Sequence, residues 1–343
     1  MNQGKRVTTA EKVRFLASLD AYPGLTGPVS VEETHMSWVF LVDEQVYKLK
    51  KPVCYPFLDF RTIEAREANC RKEVRLNRRL APEVYLGTVA LNFGADGNFA
   101  IDGDGEIVDW LVRMRRLPAE RMLDQSISEG TVEEVQVDAV ARQLSEFYRR
   151  AAAEDMDGAE YARRFDHEHA ITRDVLTNRG FGLDRSRVDQ VLGSIEKQLD
   201  SSGFVAKRAD LGKIVEGHGD LRPEHVCLVD PPAIIDCLEF SRQLRLVDPV
   251  DELVFLWLEC ERLGAGWVGQ RIFESCTECL KEQPSYELIS FYWAYRGCLR
   301  ARLSLVHLLE HDTRTPHKWL PQARHYIELA ASPPIRLSPR ASR

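Results

Sequence analysis

Apolar positions follow a period of two near the start of the chain and a period of three to four over most of its second half. Trp38 to Val42 and Val46 to Leu49, separated by Asp43-Glu44, read as two extended segments joined in a tight hairpin. Pro52 and Pro56 interrupt regular structure, and Phe57 to Phe60 leads into a charged helix from about Thr62 to Leu80 that Pro82 stops. Further strands are expected at Tyr85 to Leu91, Phe99 to Ile101 and Ile107 to Met114. Strand, strand, helix, then strands again predicts a small α+β unit, not a repeating βαβ sheet.

Beyond Arg115 the period changes. Val137, Val140, Ala141, Leu144 and Tyr148 recur at helical spacing, as do Val188, Val191, Leu192, Ile195 and Leu199, and Leu253 to Cys260 and Leu288 to Leu309 continue the pattern. A boundary is therefore expected at residues 115–118, dividing a sheet-plus-helix lobe at 1–114 from a mainly helical lobe at 115–343. The polar stretch Ala151 to Ala159 reads as a helix connection, and the Pro-, Ser- and Arg-rich Ala331 to Arg343 as a frayed end. Asp248-Pro249-Val250-Asp251 reads as a helix start, with Asp248 at the N-cap, Pro249 at the first helical position and Asp251 reaching back in a capping box. The apolar run Leu253 to Leu258 and the group Phe291, Trp293, Tyr295 and Leu299 are expected to form helix-bundle core.

Hydrophobic residues at 44% and charged residues at 29% are ordinary for a folded protein, and the formal charge of -7 supplies no long-range attraction for nucleic acid. Met1 to Leu19 carries Lys5, Glu11, Lys12 and Arg14 and lacks the apolar run of a signal peptide or membrane helix, so a cytoplasmic protein without a membrane partner is expected. The eight cysteines are expected as reduced thiols; Cys276 and Cys279 form a CxxC, but no second ligand pair stands at zinc spacing.

One stretch interrupts the helical half: His218-Gly219-Asp220-Leu221-Arg222-Pro223-Glu224-His225, the strand-like Val226 to Val229, a Pro231-Pro232 turn, and Ala233-Ile234-Ile235-Asp236. Two short strands joined by a turn would carry Asp220 and His225 toward Asp236. Phosphoryl transfer needs a group to orient and deprotonate an attacking hydroxyl, and hard oxygen ligands for the metal on the phosphates. Asp220 suits the first role and Asp236 the second.

These residues resemble the aminoglycoside phosphotransferase family, a branch of the protein-kinase-like superfamily. Val46-Tyr47-Lys48-Leu49-Lys50, Glu33 to Ser37 and Asn77 to Gly87 further resemble a bacterial subgroup of unassigned substrate. The resemblance implies an α+β, two-lobed, protein-kinase-like fold and an ATP-dependent kinase acting on a hydroxyl of a small molecule. It makes Asp220 the catalytic base, Asp236 the ligand of Mg²⁺ or Mn²⁺, and Lys48, in preference to Lys50, the contact to the nucleotide phosphates. The lysine needs a carboxylate to fix it; Glu64, Glu67 and Glu73 are available, the helix pattern lets both Glu67 and Glu73 face inward, and the resemblance, through the family-like spacing to Pro82, favours Glu73. The pattern is departed from twice. His225 stands where the superfamily has a metal-binding asparagine, which leaves open weak metal ligation, preference for a softer divalent ion, or only a hydrogen bond to the loop, and with a damaged metal site a pseudokinase acting through nucleotide or protein binding. No glycine-rich loop lies between Val31 and Phe40, so Thr34, His35 and Ser37 are the candidates for phosphate contact from the turn, with ordinary turn capping as the alternative reading. Glu239 is open between metal approach and solvation, and Tyr292, Arg296, Arg300 and Arg302 are candidates to line the acceptor site.

Overall fold

The structure, a computed structural model, describes residues 7–55, 58–309 and 316–334. Pro56, Phe57 and the tail from residue 335 onward lie outside the described residues. Two compact units divide the chain: Met1–Met122 with His225–Leu244, and Leu123–Glu224 with Arg245–Arg343.

The first unit is built on an antiparallel six-stranded sheet. In chain order its strands are β1 (Ser30–Glu33), β2 (Ser37–Val42), β3 (Gln45–Lys50), β6 (Tyr85–Phe93), β7 (Phe99–Ile101) and β8 (Glu106–Arg115), arranged β1-β2-β3-β8-β6-β7; β4 (Cys54–Tyr55) and β5 (Leu58–Asp59) pair separately. The expected hairpin is β2 and β3, with Val39 opposite Lys48 and Ser37 opposite Lys50. β1 has no counterpart in the sequence reading. Its four residues, Ser-Val-Glu-Glu, are all exposed and pair on one side only, so no apolar alternation marks it.

Strand alternation sends successive side chains to opposite faces. On one face Phe40, Val42, Tyr47, Leu49, Leu91 and Leu111 join Leu16 of helix α1 (Thr9–Leu16) in a core. On the other face Val112 and Tyr85 pack with Cys70 and Val74 of helix α2 (Ile63–Asn77) and with Cys227 and Ala233. Because Leu49 pairs with Leu111 and Lys48 with Val112, Lys48 and Lys50 belong to the α2 face. Thr62 caps α2, its hydroxyl accepting from the Ala65 N–H at 3.1 Å. The helix ends at Asn77, three residues earlier than its sequence limits suggest, and the Leu80 and Ala81 N–H groups close a turn on the Asn77 carbonyl. Asp109 of β8 ties both helices to the sheet, accepting from Lys12 at 2.9 Å and from Arg66 Nε at 2.7 Å. Two short strands, β10 (Val226–Cys227) and β11 (Ala233–Ile234), complete this unit; they cover less than the two four-residue segments expected.

The second unit is mainly helical: α3 (Leu123–Glu129), α4 (Glu134–Arg150), α5 (Gly158–Leu176), α6 (Arg185–Ser202), α7 (Phe204–Asp210), α8 (Pro249–Arg262), α9 (Gly266–Cys279), α10 (Tyr286–Val306) and α11 (Pro316–Ala331), with a small pair of strands, β9 (Val215–Glu216) and β12 (Leu246–Val247). Every residue of α8 from Val250 to Cys260 is buried, and Phe291, Trp293 and Tyr295 of α10 are core, as the apolar runs predict. Asp248 caps α8, accepting from the Val250 N–H at 3.0 Å, and also receives Arg208 and the Tyr292 hydroxyl. The expected capping box is not formed. Asp251 instead takes the Arg296 guanidinium with both oxygens, at 2.7 and 2.6 Å, because a buried carboxylate gains more from a two-pronged cation than from one backbone N–H. Tyr292 and Arg296 are therefore held by the helix start. All eight cysteines are free thiols, and no helix among the described residues is long and apolar enough to cross a membrane.

Candidate active site

In the first unit β3 and α2 bring four charged side chains into contact. Lys48 Nζ lies 2.9 Å from Glu73 Oε1 and 3.1 Å from Asp236 Oδ1. Lys50 Nζ pairs with the other oxygen of Glu73 and, at 2.5 Å, with Glu239. Glu73, wholly buried, thus has one lysine on each oxygen, whereas Glu67 is paired with Arg71 on the exposed side of α2. Burial alone would raise the Glu73 pKa; Lys48 and Lys50 outweigh it and bring it below the usual range. Burial likewise opposes charge on Lys48, but Asp236 and Glu73 hold its pKa well above that of a free lysine. Lys50 and Glu239 are both buried, so Glu239 is neither solvated nor free to move independently of Lys50.

Asp236 is the most open member, its side chain 48% exposed. The Lys48 ammonium, aided by His225 and Lys50, outweighs the effect of burial and holds its carboxyl far below the usual carboxylate range. His225 Nε2 stands 3.7 Å from Asp236 Oδ2, and the Ile235 N–H donates to the His225 carbonyl at 2.9 Å. The Asp236 backbone is left-handed, with φ 60°, a conformation that costs energy for a residue with a side chain. Neighbours hold it in place. The Asp236 N–H donates to the Tyr85 hydroxyl at 3.1 Å, the Cys237 N–H to Asn77 Oδ1 at 2.8 Å, and Asn77 Nδ2 donates back to the Glu73 carbonyl at 2.9 Å. Asn77 and Tyr85 are thus positioning residues that sequence reasoning did not single out. Their signal was present in the stretch from Asn77 to Gly87, quoted above for its resemblance alone.

Asp220 belongs to the second unit, where α8 fixes its loop. Buried Glu252 accepts from the backbone N–H groups of His218, at 3.0 Å, and Gly219, and from the Tyr148 hydroxyl at 2.7 Å. Gly219 has φ 90°, in the region that favours glycine. Gly217 is required for a different reason: a Cβ there would fall 2.6 Å from both Glu252 Oε2 and Val247 Cγ2. The Asp220 N–H donates to His218 Nδ1 at 3.3 Å, and the Asp220 carboxylate receives Arg222 at 2.9 Å.

The β1–β2 turn carries Thr34, His35 and Ser37. The Thr34 hydroxyl is engaged within the turn, accepting from the Ser37 N–H at 3.0 Å and donating to the Ser37 carbonyl at 3.1 Å. Ser37 is buried, and His35 is exposed at the tip. Among the described residues no group of three or more His, Cys, Asp or Glu side chains converges as a closed metal cage. Asp236 supplies the hard oxygen that suits Mg²⁺, whose remaining positions go to phosphate and water, whereas the imidazole of His225 beside it suits a softer divalent ion.

No protein-family model matches the chain. An uncharacterized protein of Mycobacterium tuberculosis and one of Mycobacterium bovis are each 34% identical to it over 299 residues, covering 84% of this chain and 57% of theirs. The chain therefore spans little more than half the length of these relatives. Among solved structures, the GDP complex of an aminoglycoside 2'-phosphotransferase aligns over 93% of this chain and 98% of its own, with TM-score 0.53 and 15% identity. A thermostable mutant of another aminoglycoside phosphotransferase, in ternary complex with AMP-PNP and hygromycin B, aligns over 95% and 100%, with TM-score 0.52 and 12% identity. At that identity the likeness is one of architecture: a sheet-containing first unit and a helical second unit, the protein-kinase-like fold.

Proposed function

We propose that the chain is a phosphotransferase that moves the terminal phosphoryl group of ATP to a hydroxyl of a small molecule. The observation that carries this reading is Lys48 Nζ set between Glu73 and Asp236 at 2.9 and 3.1 Å. A buried carboxylate fixes the lysine, and the lysine faces a half-exposed carboxylate suited to a divalent cation. In this reading Lys48 contacts the nucleotide phosphates, Glu73 orients Lys48, and Asp236, with His225 beside it, holds Mg²⁺ or Mn²⁺. Bound there, the metal would neutralise charge on the phosphates. The tip of the β1–β2 turn adds phosphate contacts through His35, with Thr34 and Ser37 shaping the turn. Asp220 accepts the proton of the acceptor hydroxyl as its oxygen bonds to phosphorus and ADP departs. The first unit is then the nucleotide-binding lobe and the helical unit carries the base, with the change of unit at Met122, a few residues after the hinge expected at 115–118.

A nucleotide titration with and without Mg²⁺, on the parent and on Lys48→Met, tests the reading. The parent binds in a metal-dependent manner, and the variant binds at least about tenfold more weakly with an unchanged circular dichroism spectrum. Equal affinities for the two proteins would remove Lys48 from the site. The imidazole of His225 near Asp236 favours a second reading, a pseudokinase; nucleotide binding without transfer to any hydroxyl acceptor is its signature.

A further inference from the structure

The phosphotransferase reading gives tasks to Lys48, Glu73 and Asp236 and none to Lys50 or Glu239, which are buried more deeply. The Lys50 and Glu239 side chains are 1% and 10% exposed, against 16% for Lys48 and 48% for Asp236. Alternation along β3 sets the two lysines on one face, about 7 Å apart along the strand. Each takes one oxygen of Glu73, Lys48 at Oε1 and Lys50 at Oε2. A carboxylate held at one oxygen can turn about that contact; held at both, from two points of a paired strand, it is fixed in plane. The Lys50 ammonium is enclosed on three sides, by Glu73, by Glu239 at 2.5 Å and by the Phe60 ring, 5.9 Å away at its centroid. Desolvation offsets most of the attraction in a buried ion pair, so stability is a poor reason for placing these three charges together.

Glu239 lies three residues after Asp236 on the same loop. The backbone of that loop is held by Tyr85 at the Asp236 N–H and by Asn77 at the Cys237 N–H. Beyond these bonds the Glu239 side chain returns to the sheet at Lys50. The left-handed backbone at Asp236 persists only where its surroundings fix it, and the Glu239 contact fixes it from the C-terminal side.

We propose that Lys50 is a positioning residue that joins the two halves of the site: through Glu73 it orients Lys48, and through Glu239 it sets the loop that presents Asp236 to the metal. This deepens the phosphotransferase reading and rests on it. Lys50 and Glu239 touch neither nucleotide nor metal; each acts through the residues it holds.

The test is a calorimetric titration of the full chain with a non-hydrolysable ATP analogue, once with saturating Mg²⁺ and once in chelator; the ratio of the two affinities is the metal enhancement. Glu239→Met removes the carboxylate, keeps the volume and leaves Lys50 its contact to Glu73. It should lower the enhancement about tenfold, the worth of one charge-assisted hydrogen bond, and leave metal-free binding within about twofold. Lys50→Met should lower the enhancement as much and also weaken metal-free binding about threefold or more, the cost of ordering a loosened Lys48. This variant separates positioning from ligation, because a Glu239 that ligated metal would be freed by it and the enhancement would rise. Lys50→Met strands buried carboxylates, so Lys50→Met/Glu239→Met, which removes the pair together, serves as the folded control and should show the same two losses with the parent's circular dichroism spectrum. An unchanged enhancement in Glu239→Met or in the double variant would leave the pair a structural role only and overturn the proposal, as would a rise in Lys50→Met. A parent that binds the analogue without metal enhancement, or not at all, would overturn the phosphotransferase reading itself, and the proposal with it.

Discussion

Glu252→Gln keeps the shape of a side chain that holds the Asp220 loop and removes its charge. In the parent, Oε2 accepts from the His218 N–H at 3.0 Å and the Tyr148 hydroxyl at 2.7 Å, while Oε1 accepts from the Gly219 N–H. An amide offers one oxygen. If it occupies the Oε2 position, the new NH₂ group faces the Gly219 N–H, donor against donor, in a buried site. An unsatisfied buried donor costs about 1–3 kcal/mol, and the two surviving bonds lose their charge assistance, so the expected loss is about 2–4 kcal/mol. In the opposite orientation Gly219 keeps its acceptor, the His218 N–H is stranded against the NH₂ group, and the Tyr148 hydroxyl must turn to accept from that group. Urea unfolding followed by helical circular dichroism should show a lower midpoint at unchanged slope. Tyr148→Phe removes one of the three donors and should cost only about 1 kcal/mol, with the double variant falling short of the sum because the two side chains share the bond. Transfer should also fall, by up to about a hundredfold, since the loop carrying the base is displaced. A stability loss below about 1 kcal/mol for Glu252→Gln would refute the anchoring of this loop by α8.

The two aspartates should fail differently. Asp220→Asn lowers transfer by about 10² to 10⁴ and leaves nucleotide affinity intact, whereas Asp236→Asn lowers metal-dependent nucleotide affinity together with turnover; a metal titration of nucleotide binding separates the two. Glu73 and Asp236 both have lowered pKa values in the folded protein, so the unfolded chain takes up their protons first on acidification. Their contribution is complete above the unfolded carboxylate range and is lost as pH falls below about 4. Asp236 is half exposed and adds little, so Glu73→Gln should flatten most of this acid-side decline in the urea midpoint; an unchanged slope against pH would be contrary evidence. Only Cys54 and Cys279 are exposed, whereas burial pushes the Cys70, Cys276 and Cys298 thiols up to about 12. Thiol titration of the native protein should therefore show two fast groups, and a third fast group would contradict the packing.

What was legible in the sequence is what local periodicity encodes. The β2–β3 hairpin, α2, the strands at 85–93 and 106–115 and the long helices each announce themselves within a short window, because alternation and 3.6-residue spacing mark which face is buried. The Asp220 and Asp236 motifs were legible for the same reason: each is a short run of residue types that chemistry restricts. β1 was not, since an exposed edge strand with two glutamates needs no apolar pattern. Which charge meets which was settled only by packing. Lys48 and Glu73 are separated by 25 residues and Lys50 and Glu239 by 189, and the choice of Glu73 over Glu67 depends on where α2 crosses the lysine face of β3. The spacing of Asp251 fits a capping box, yet Arg296, 45 positions later, claims the carboxylate once α10 lies against α8. Asn77 and Tyr85 hold the strained backbone at Asp236 from more than 150 residues away. A side chain's burial follows from its own neighbours in the chain; its partner follows from how distant elements pack, and only the folded structure specifies that.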